Sequence, residues 1–313
     1  MISPSGRQVR LAHAGQELVV VEVGGGIRSY SVGGEAVLDG YGEDEACSGG
    51  RGQLLAPWPN RLGDGRYVWR GEELQTPLTE PDRHNAIHGL VRWASWSVAS
   101  AGEDRARMEY RLYPQPGWPW ILDLAVDYDL SDGGLRVRTA VTNRGRGPCP
   151  VGIGWHPYLA AFGGLVDGFE LTLPAATAYR ADERGLPTAT VPVESTGLDF
   201  RAPRMIGVAH LDDAFTHLVR GSDGRAVVQV AAGDGSGRST RLWMDSSYTH
   251  VMAFTGDTLT DPSRRRRGLG VEPMTCAPDM LRNGDGRVVL EEGDTFEATW
   301  GLIAAVPAVP AGG

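Results

Sequence analysis

Apolar and polar positions alternate along most of this chain in short segments, a pattern typical of β-strands with one buried face. Turn signals such as Gly24-Gly25-Gly26 and Ser131-Asp132-Gly133-Gly134 separate several of these segments. The segments predicted as strands are 17–23, 27–32, 93–99, 107–113, 121–130, 135–142, 169–173, 226–230, 241–244, 251–254, 287–290 and 295–302. No amphipathic helix longer than about three turns is evident. The pattern predicts an all-β protein, an antiparallel sandwich or barrel, with a frayed tail at 306–313.

Composition narrows the possible partners. The net charge of −9 disfavours nucleic acid and anionic membrane as partners. All 30 basic residues are arginine, so mechanisms that need a lysine base or Schiff base are excluded. No apolar run is long enough for a signal peptide or a membrane span. Cys47, Cys149 and Cys276 lack metal-site spacing, and we interpret them as free thiols in a reducing, cytoplasmic compartment.

Residues 56–96 contain the first group of candidate site residues. Asn60 and Arg61 follow two prolines, a tight-turn signal occupies 63–65, and His88 closes the sequence NAIHG at 85–89. These polar groups lie at the two ends of a predicted hairpin, where an amide, a guanidinium and an imidazole can together bind a ring of hydroxyls. On this segment alone, a surface hairpin with solvated polar residues is the simpler interpretation.

A second candidate is His156, in the sequence GWHPY at 154–158. The unperturbed pKa of histidine lies near neutrality, which suits a general acid or base. Trp155 and Tyr158 offer a wall on which a sugar can stack. The alternative is a core histidine that is bonded to a backbone carbonyl.

Carboxylates supply the third group. Glu272 follows a β-prone step and precedes Pro273, so we expect it at a strand end as a candidate general base. Taken alone, a surface glutamate at a turn is the simpler interpretation. Asp212 and Asp213 are adjacent in LDDAF, and their oxygens can bind a sugar hydroxyl, hold calcium or cap a turn. The spacing does not match a calcium loop, and hydroxyl binding and capping both stay open.

Seven motifs together resemble the aldose 1-epimerase (galactose mutarotase) family. They occur in the family's order and are PWPNR at 57–61, DGRY at 64–67, NAIHG at 85–89, GWHPY at 154–158, LDDAF at 211–215, FTGD at 254–257 and VEPMT at 271–275. The resemblance spans roughly residues 19–300. It implies a single-domain, large antiparallel β-sandwich of the galactose mutarotase-like supersandwich type, with a sugar cleft across one sheet.

The resemblance also implies roles for site residues. His156 is expected to protonate the ring oxygen, and Glu272 to take the proton from the C1 hydroxyl. His88 and Arg61 are expected to bind the sugar, with Asn60 contributing. Asp212 matches the hydroxyl-binding aspartate, with Asp213 as the alternative if the register differs by one residue. The implied reaction interconverts α and β anomers of free hexoses such as glucose or galactose, with no metal and no cofactor.

Three alternatives stay open. A glycoside hydrolase would use Glu272 with Asp212 and leave both imidazoles without a role. A non-catalytic sugar-binding module would not need His156 and Glu272. A hexose-6-phosphate epimerase would need an arginine cluster at the cleft, and Arg264–Arg267 is a candidate. We expect this run to be an extended, solvated loop with nothing helical beginning there, which favours the unphosphorylated sugar.

Overall fold

Strands account for most of the regular structure. The computed structural model describes residues 2–160 and 162–306, so the expected fraying of the tail concerns residues that, apart from Val306, lie outside the described chain. The strands before residue 90 are β1 Gln8–His13, β2 Gln16–Val21, β3 Ile27–Val32, β4 Glu35–Ala36, β5 Leu54–Leu55, β6 Arg61–Gly63, β7 Arg66–Trp69, β8 Glu72–Gln75 and β9 Asn85–Ile87. The next strands are β10 Ser97–Ala101, β11 Arg105–Leu112, β12 Leu122–Ser131, β13 Gly134–Asn143, β14 Cys149–Val151, β15 Gly154–Trp155, β16 Tyr158–Ala160, β17 Phe169–Thr172 and β18 Ala175–Ala181. The last are β19 Pro187–Pro192, β20 Arg204–Met205, β21 Asp212–Leu218, β22 Ala226–Ala232, β23 Ser239–Met244, β24 His250–Phe254, β25 Gly268–Met274, β26 Val288–Leu290 and β27 Thr295–Ala305.

In the part of the chain that the structure describes, helical structure is limited to single turns. One short α-helix, α1, spans Met280–Asn283, and 3₁₀ turns lie at Pro81–Arg83, Val166–Gly168, Val193–Ser195 and Pro262–Arg264. Within residues 2–160 and 162–306, no helix is long and apolar enough to cross a membrane.

Two large antiparallel sheets form the body of the molecule. The nine-stranded sheet has the order β10-β11-β12-β13-β27-β23-β22-β17-β20, and the eight-stranded sheet has the order β19-β18-β21-β24-β25-β15-β5, with β16 also pairing with β25. Buried residues of both sheets belong to one hydrophobic cluster. The predicted large antiparallel sandwich in a single domain is therefore confirmed.

The burial pattern distinguishes the two sheets. In β13 of the nine-stranded sheet, buried and more exposed residues alternate along much of the strand, because one face packs on the core and the other faces solvent. In β25 of the eight-stranded sheet all seven residues are buried. Because both faces of β25 are covered, one face packs in the core. The other face lies under residues that form the wall of a cleft.

Each predicted segment except 93–99 matches an observed strand to within three residues at either end. The pattern missed other strands, among them β1, β18, β19 and β21. The segment predicted at 93–99 becomes a strand only at Ser97, so Trp93 lies outside it.

The predicted hairpin in residues 56–96 does bring its two ends together. Its outer pair is β6 with β9, in which Arg61 lies opposite Ile87, while β7 and β8 form a separate hairpin inside it. The pairing places Asn60 and Arg61 beside His88, because the backbone N–H of His88 donates to the carbonyl of Asn60 at 2.9 Å.

Candidate active site

A polar cleft of about 480 Å³ lies on the eight-stranded sheet. Its size falls in the range of ordinary small-molecule sites. Side chains from the sheet, from the β6–β9 segment and from the loops at 47–50 and 258–260 line it. The polar and aromatic lining residues include Asn60, Arg61, His88, Arg92, Trp93, His156, Tyr158, Asp212, Phe254 and Glu272.

Glu272 lies inside strand β25, opposite Met252 of β24. The expectation of a strand end was wrong, because Pro273 is accommodated within the strand. The N–H groups of Val271 and Thr275 donate to the carbonyls of Pro157 and Ile153. Backbone N–H groups alternate in direction along a strand, so the nitrogen of Pro273 points the same way as those of Val271 and Thr275. It faces the gap between β15 and β16, where the ladder is interrupted and no N–H donor is needed.

His156 occupies that same interruption, between β15 and β16, and meets Glu272 there. Its Nε2 lies 3.2 Å from Oε1 of Glu272, and both side chains are more than nine-tenths buried. The Tyr158 ring stacks on the imidazole at 4.9 Å and 15°. Gly50, at φ +75°, passes so close that a Cβ there would lie 2.8 Å from the imidazole Cδ2, so this position requires glycine.

Burial sets the charge of this pair. Desolvation raises the pKa of Glu272 to about 8, with the nearby charge of Asp212 adding to the rise and that of Arg61 opposing it. Desolvation likewise lowers the pKa of His156 to about 3, and the charge of Arg92 contributes. Between these values the pair holds one proton in total. Nδ1 of His156 and Oε2 of Glu272 are buried without a hydrogen-bond partner in the described chain.

The second imidazole, His88, has a defined tautomer. Its Nδ1 accepts the backbone N–H of Asn60 at 3.1 Å, and burial lowers its pKa well below the ordinary value. A neutral ring with an acceptor at Nδ1 carries its proton on Nε2. The rings of His88 and His156 are 5.3 Å apart at 74°. His88 and Asn60 both have positive φ, at 63° and 56°, as is common for non-glycine residues at functional sites.

Arg61 is fixed by Glu80, which sequence reasoning did not find. Nε and one terminal nitrogen of the guanidinium bond the two carboxylate oxygens at 2.8 and 3.0 Å. Asn85 donates to the same carboxylate at 3.1 Å. Arg61 also lines the cleft.

Asp212, at the start of β21, lies where the cleft continues into a second compartment of about 220 Å³. Asn60, Arg61, Asp212 and Met252 line both spaces. Desolvation raises the pKa of Asp212, against the lowering effect of the Arg61 charge. Asp213 lines neither space, so the structure places Asp212 and not its neighbour in the cleft.

Two expectations about the surroundings were wrong. Trp155 is not a sugar-stacking wall, because it is fully buried in the core and donates its indole N–H to Thr139 at 3.0 Å. The Arg264–Arg267 run is not an extended solvated loop, because a 3₁₀ turn begins at Pro262 with Asp261 as its cap. Arg264 pairs with Glu45, and Arg266 pairs with Asp167 and Asp257, so these two side chains already have carboxylate partners.

The structure adds Arg92 and Trp93 to the lining. Trp93 is 61% exposed, Arg92 Cζ lies 5.5 Å from the centre of its ring, and the Arg92 charge lowers the pKa of both imidazoles. The sequence contained one usable signal, a tryptophan shortly after the NAIHG motif, but the β-pattern assigned it to a strand.

The side chains of His88, His156 and Glu272 bring three potential ligand atoms within 4.8 Å of one another. Two imidazoles and a carboxylate are a donor set that suits zinc. A cation bound there would coordinate Nε2 of His156 and Oε1 of Glu272, the two atoms that otherwise face each other. The expectation of a metal-free site stays a prediction.

The comparisons with known proteins agree with this architecture. The sequence profile of the family described as aldose 1-epimerase matches residues 7–302. The uncharacterized protein YihR of Escherichia coli K12 is 31% identical over 290 residues, which are 92% of this chain and 90% of that protein. An aldose epimerase homologue from C. elegans superimposes with a TM-score of 0.82 at 17% identity, covering 95% of this chain and 98% of the other. A galactose 1-epimerase from Lactobacillus acidophilus gives a TM-score of 0.76 at 19% identity, covering 94% and 93%.

The profile match extends over nearly the whole chain, and the fold is that of galactose mutarotase-like proteins. The chain therefore belongs to the aldose 1-epimerase family.

Proposed function

We propose that this member of the aldose 1-epimerase family interconverts the α and β anomers of a free hexose such as glucose or galactose, by acid–base chemistry without metal or cofactor. The observation that carries the proposal is the buried His156–Glu272 pair, with 3.2 Å between Nε2 and Oε1, at the floor of a polar cleft. Anomerisation needs one proton given and one taken on the same substrate. A pair that holds one proton in total meets this need.

In the proposed cycle the proton moves between the two partners by way of the sugar. The proton first passes from Glu272 to His156, whose Nε2 lies 3.2 Å from Oε1 of Glu272. Glu272 then takes the proton from the C1 hydroxyl while protonated His156 gives one to the ring oxygen, the C1–O5 bond breaks, and the open aldehyde forms. Rotation about C1–C2 exposes the other face of the carbonyl. His156 then takes the C5 hydroxyl proton and Glu272 returns its own to the C1 oxygen. In each turnover the single proton of the pair lies on His156 in one state and on Glu272 in the other. The ion-paired form and the uncharged form are therefore both catalytic states.

The remaining residues are proposed to orient the sugar. Neutral His88 donates from Nε2, and the guanidinium of Arg61 donates from the face that Glu80 leaves free. The Asp212 carboxylate accepts from a hydroxyl at the junction of the two compartments. Each proton transfer by a positioned group is worth roughly 10²–10⁴-fold in rate.

We favour the free sugar over a hexose 6-phosphate. Arg264 and Arg266 are paired with carboxylates, and neither lines the cleft. The three cysteines are free thiols, with Cys149 and Cys276 buried, which supports a reducing, cytoplasmic location as part of the proposal.

Polarimetry tests the function. Freshly dissolved α-glucose and α-galactose should reach the equilibrium rotation faster with the protein than without it. His156→Ala and Glu272→Ala should each nearly abolish this acceleration while retaining the wild-type circular dichroism spectrum. A well-folded His156→Ala or Glu272→Ala protein with a near-normal rate would remove that residue from the mechanism.

A further inference from the structure

The imidazole of His156 is not oriented by a hydrogen bond at its second nitrogen. Nδ1 is buried and has no partner in the described chain, while Nε2 lies 3.2 Å from Oε1 of Glu272. A catalytic base is commonly oriented by a third group that bonds its far side. In the proposed cycle Nε2 exchanges Glu272 for the ring oxygen of the sugar, so that contact does not hold the imidazole through a whole turnover. Its orientation therefore depends on packing.

The packing consists of a buried aromatic ring and a cation. The ring of Tyr158 lies nearly parallel to the imidazole, with 4.9 Å between the ring centres and 15° between the planes. Cζ of Arg51 lies over the same tyrosine ring, 4.5 Å from its centre. Arg51 is only 2% exposed, and the attraction of a cation to an aromatic face is strongest where water is excluded. Arg51 therefore stabilises the position of the ring on which the imidazole stacks.

The guanidinium of Arg51 is itself fixed by hydrogen bonds. Nε and one terminal nitrogen donate to the same oxygen of Asp39 at 3.2 Å, and the other terminal nitrogen donates to the carbonyl of Ser48 at 3.1 Å. The second oxygen of Asp39 lies 3.7 Å from a terminal nitrogen of Arg264. The arginine run at 264–267, which the proposed reaction does not use, thus contributes one residue to this network.

The loop that carries Arg51 also contacts the stack directly. The hydroxyl of Tyr158 donates to the carbonyl of Gly49 at 2.9 Å, and Gly50 passes beside the imidazole with no room for a Cβ. A change at the guanidinium therefore affects both the tyrosine ring and the loop segment at the edge of His156. Arg51 is not among the residues that line the cleft, so its influence on the sugar passes through these neighbours.

We infer that Arg51 is a positioning residue: it holds Tyr158, and through it the imidazole of His156, in the orientation that proton transfer to the sugar requires. The inference rests on the proposed anomerase function and adds a residue to it. A displacement of about 1 Å in a reacting group can cost roughly 10²-fold in rate, so a residue that does not touch the substrate can still control turnover.

Steady-state polarimetry of Arg51→Met is the first test. The variant should lower kcat by about tenfold or more and leave KM nearly unchanged, because proton transfer is misaligned while the groups that bind the sugar stay in place. Arg51→Lys should retain part of the rate, since it keeps a cation near the tyrosine ring. A wild-type kcat in folded Arg51→Met, or a raised KM at constant kcat, would show that Arg51 has only a structural or binding role and would overturn the inference.

Histidine NMR of the isotope-labelled, sugar-free protein gives a readout that does not depend on turnover. Protons that lie over the face of an aromatic ring resonate at lower frequency, so the imidazole C–H signals of His156 report its stacking on Tyr158. These signals are assigned with His156→Gln. The shift should be reduced in Arg51→Met and largely kept in Arg51→Lys. Signals that stay in place in Arg51→Met would reject the inference.

Asp39→Asn is the second variant, and it decides the question if Arg51→Met does not fold. It keeps the cation over the tyrosine ring and weakens the bonds that fix the guanidinium. We expect kcat to fall about threefold or more at unchanged KM, because charge-assisted hydrogen bonds become neutral ones on the acceptor side. An unchanged kcat would contradict the role given to the network.

Arg225→Met is the matched control. Arg225 also lies over an aromatic ring, at 4.0 Å from the centre of Trp243, and also faces a carboxylate, at 3.9 Å from Asp223. It precedes a strand of the nine-stranded sheet, so its loss should leave kcat, KM and the His156 signals unchanged. An equal fall in kcat in this variant would show that the effect is not specific to Arg51.

The NMR result separates this inference from the proposed function. If the protein turns over no sugar, a reduced shift in Arg51→Met still supports the positioning of the imidazole, and the reaction alone is rejected. Turnover that depends on His156 but is the same in wild type and Arg51→Met would retain the function and reject the positioning role.

Discussion

The two large sheets each carry a polar groove, and the grooves differ in how their charges are satisfied. The groove on the nine-stranded sheet has a volume of about 410 Å³, close to the 480 Å³ of the cleft on the eight-stranded sheet. In the former, Asp123 pairs with Arg111 and Arg144 at 2.6 and 2.9 Å, and Arg107 pairs with Glu109 and Asp127. In the latter, polar atoms of His156, Glu272 and Arg92 have no partner.

How the charges of each groove are satisfied is more informative about function than the volume of the groove. In the groove of the nine-stranded sheet the charges are balanced by ion pairs between protein side chains, so no buried charge there calls for a ligand. Buried groups without partners lower stability, and they persist where a substrate uses them. Unpartnered atoms also occur in the core, as at Trp118 and Trp300, so the distinguishing feature is that several converge on one accessible cleft.

The largest expected effect comes from removing the ionisable carboxyl while keeping its shape. Glu272→Gln should lower the anomerisation rate by about 10²–10⁴-fold, because an amide cannot accept the C1 proton. The folded state should be at least as stable as the wild type, since the carboxyl is buried with one oxygen unpartnered. Polarimetry and thermal unfolding measure the two effects. Retained activity, or a large loss of stability, would show that Glu272 has a structural role, as the ion pairs on the nine-stranded sheet do.

The next effect is the pH dependence of kcat/KM. The active pair carries one proton, and burial raises the pKa of Glu272 to about 8 and lowers that of His156 to about 3. The profile should therefore be level through neutral pH and fall about tenfold per pH unit above pH 8, where the last proton is lost. Polarimetric rates across this range measure the alkaline limb.

Asp212→Asn sharpens this test. The charge of Asp212 disfavours ionisation of Glu272, so its removal should lower the pKa of Glu272 and move the alkaline limb to lower pH. An alkaline limb that stays in place, or moves upward, would contradict the electrostatic coupling of the two carboxyls. Asp213→Asn is the matched control, because Asp213 lines neither compartment.

In the groove of the nine-stranded sheet the expected effect is small and confined to stability. Asp123→Asn should lower the free energy of unfolding by less than about 1 kcal/mol, because its arginine partners are half exposed and screened by water. The ion pairs lower the pKa of Asp123, so the difference should be present at neutral pH and disappear as the pH falls through that lowered pKa. Urea unfolding at two pH values measures it. Any change in the anomerisation rate would show that the groove on the nine-stranded sheet also influences the reaction.

The smallest expected effect is that of chelation, which should leave kcat/KM unchanged. The cluster of His88, His156 and Glu272 offers zinc-like ligands, and we assign those atoms to the sugar and its protons. Added Zn²⁺ should then inhibit by competing with the sugar. Activity that is lost on exhaustive chelation and restored by a divalent cation would reassign the cluster to a metal.

Much of the fold was predictable from local pattern. Strand β3 was located to the residue, and β12, β13 and β24 to within one residue at each end, because alternation is a local property of half-buried strands. Strands β1, β18, β19 and β21 were missed. Strand β21 pairs with β18 and β24, which lie far from it in the chain.

The candidate site shows the same division. His156, Glu272, His88, Arg61 and Asn60 were found by motif, and all of them line the cleft together with Asp212. Glu80 and Arg92 were missed, because nothing local indicates that one will neutralise Arg61 and that the other will have no carboxylate partner.

The β-architecture, the order of the motifs and the residue types available for acid–base chemistry can all be inferred from the sequence. Folding adds that His156 meets Glu272 at a break in a strand ladder, that Asp212 and not Asp213 enters the cleft, and that Arg92 has no carboxylate partner in the described chain. Strand alternation and residue chemistry depend on neighbouring residues in the chain. Burial, pairing and pKa are instead set by segments distant in the chain, which exclude water and bring charges together only when the sheets have closed.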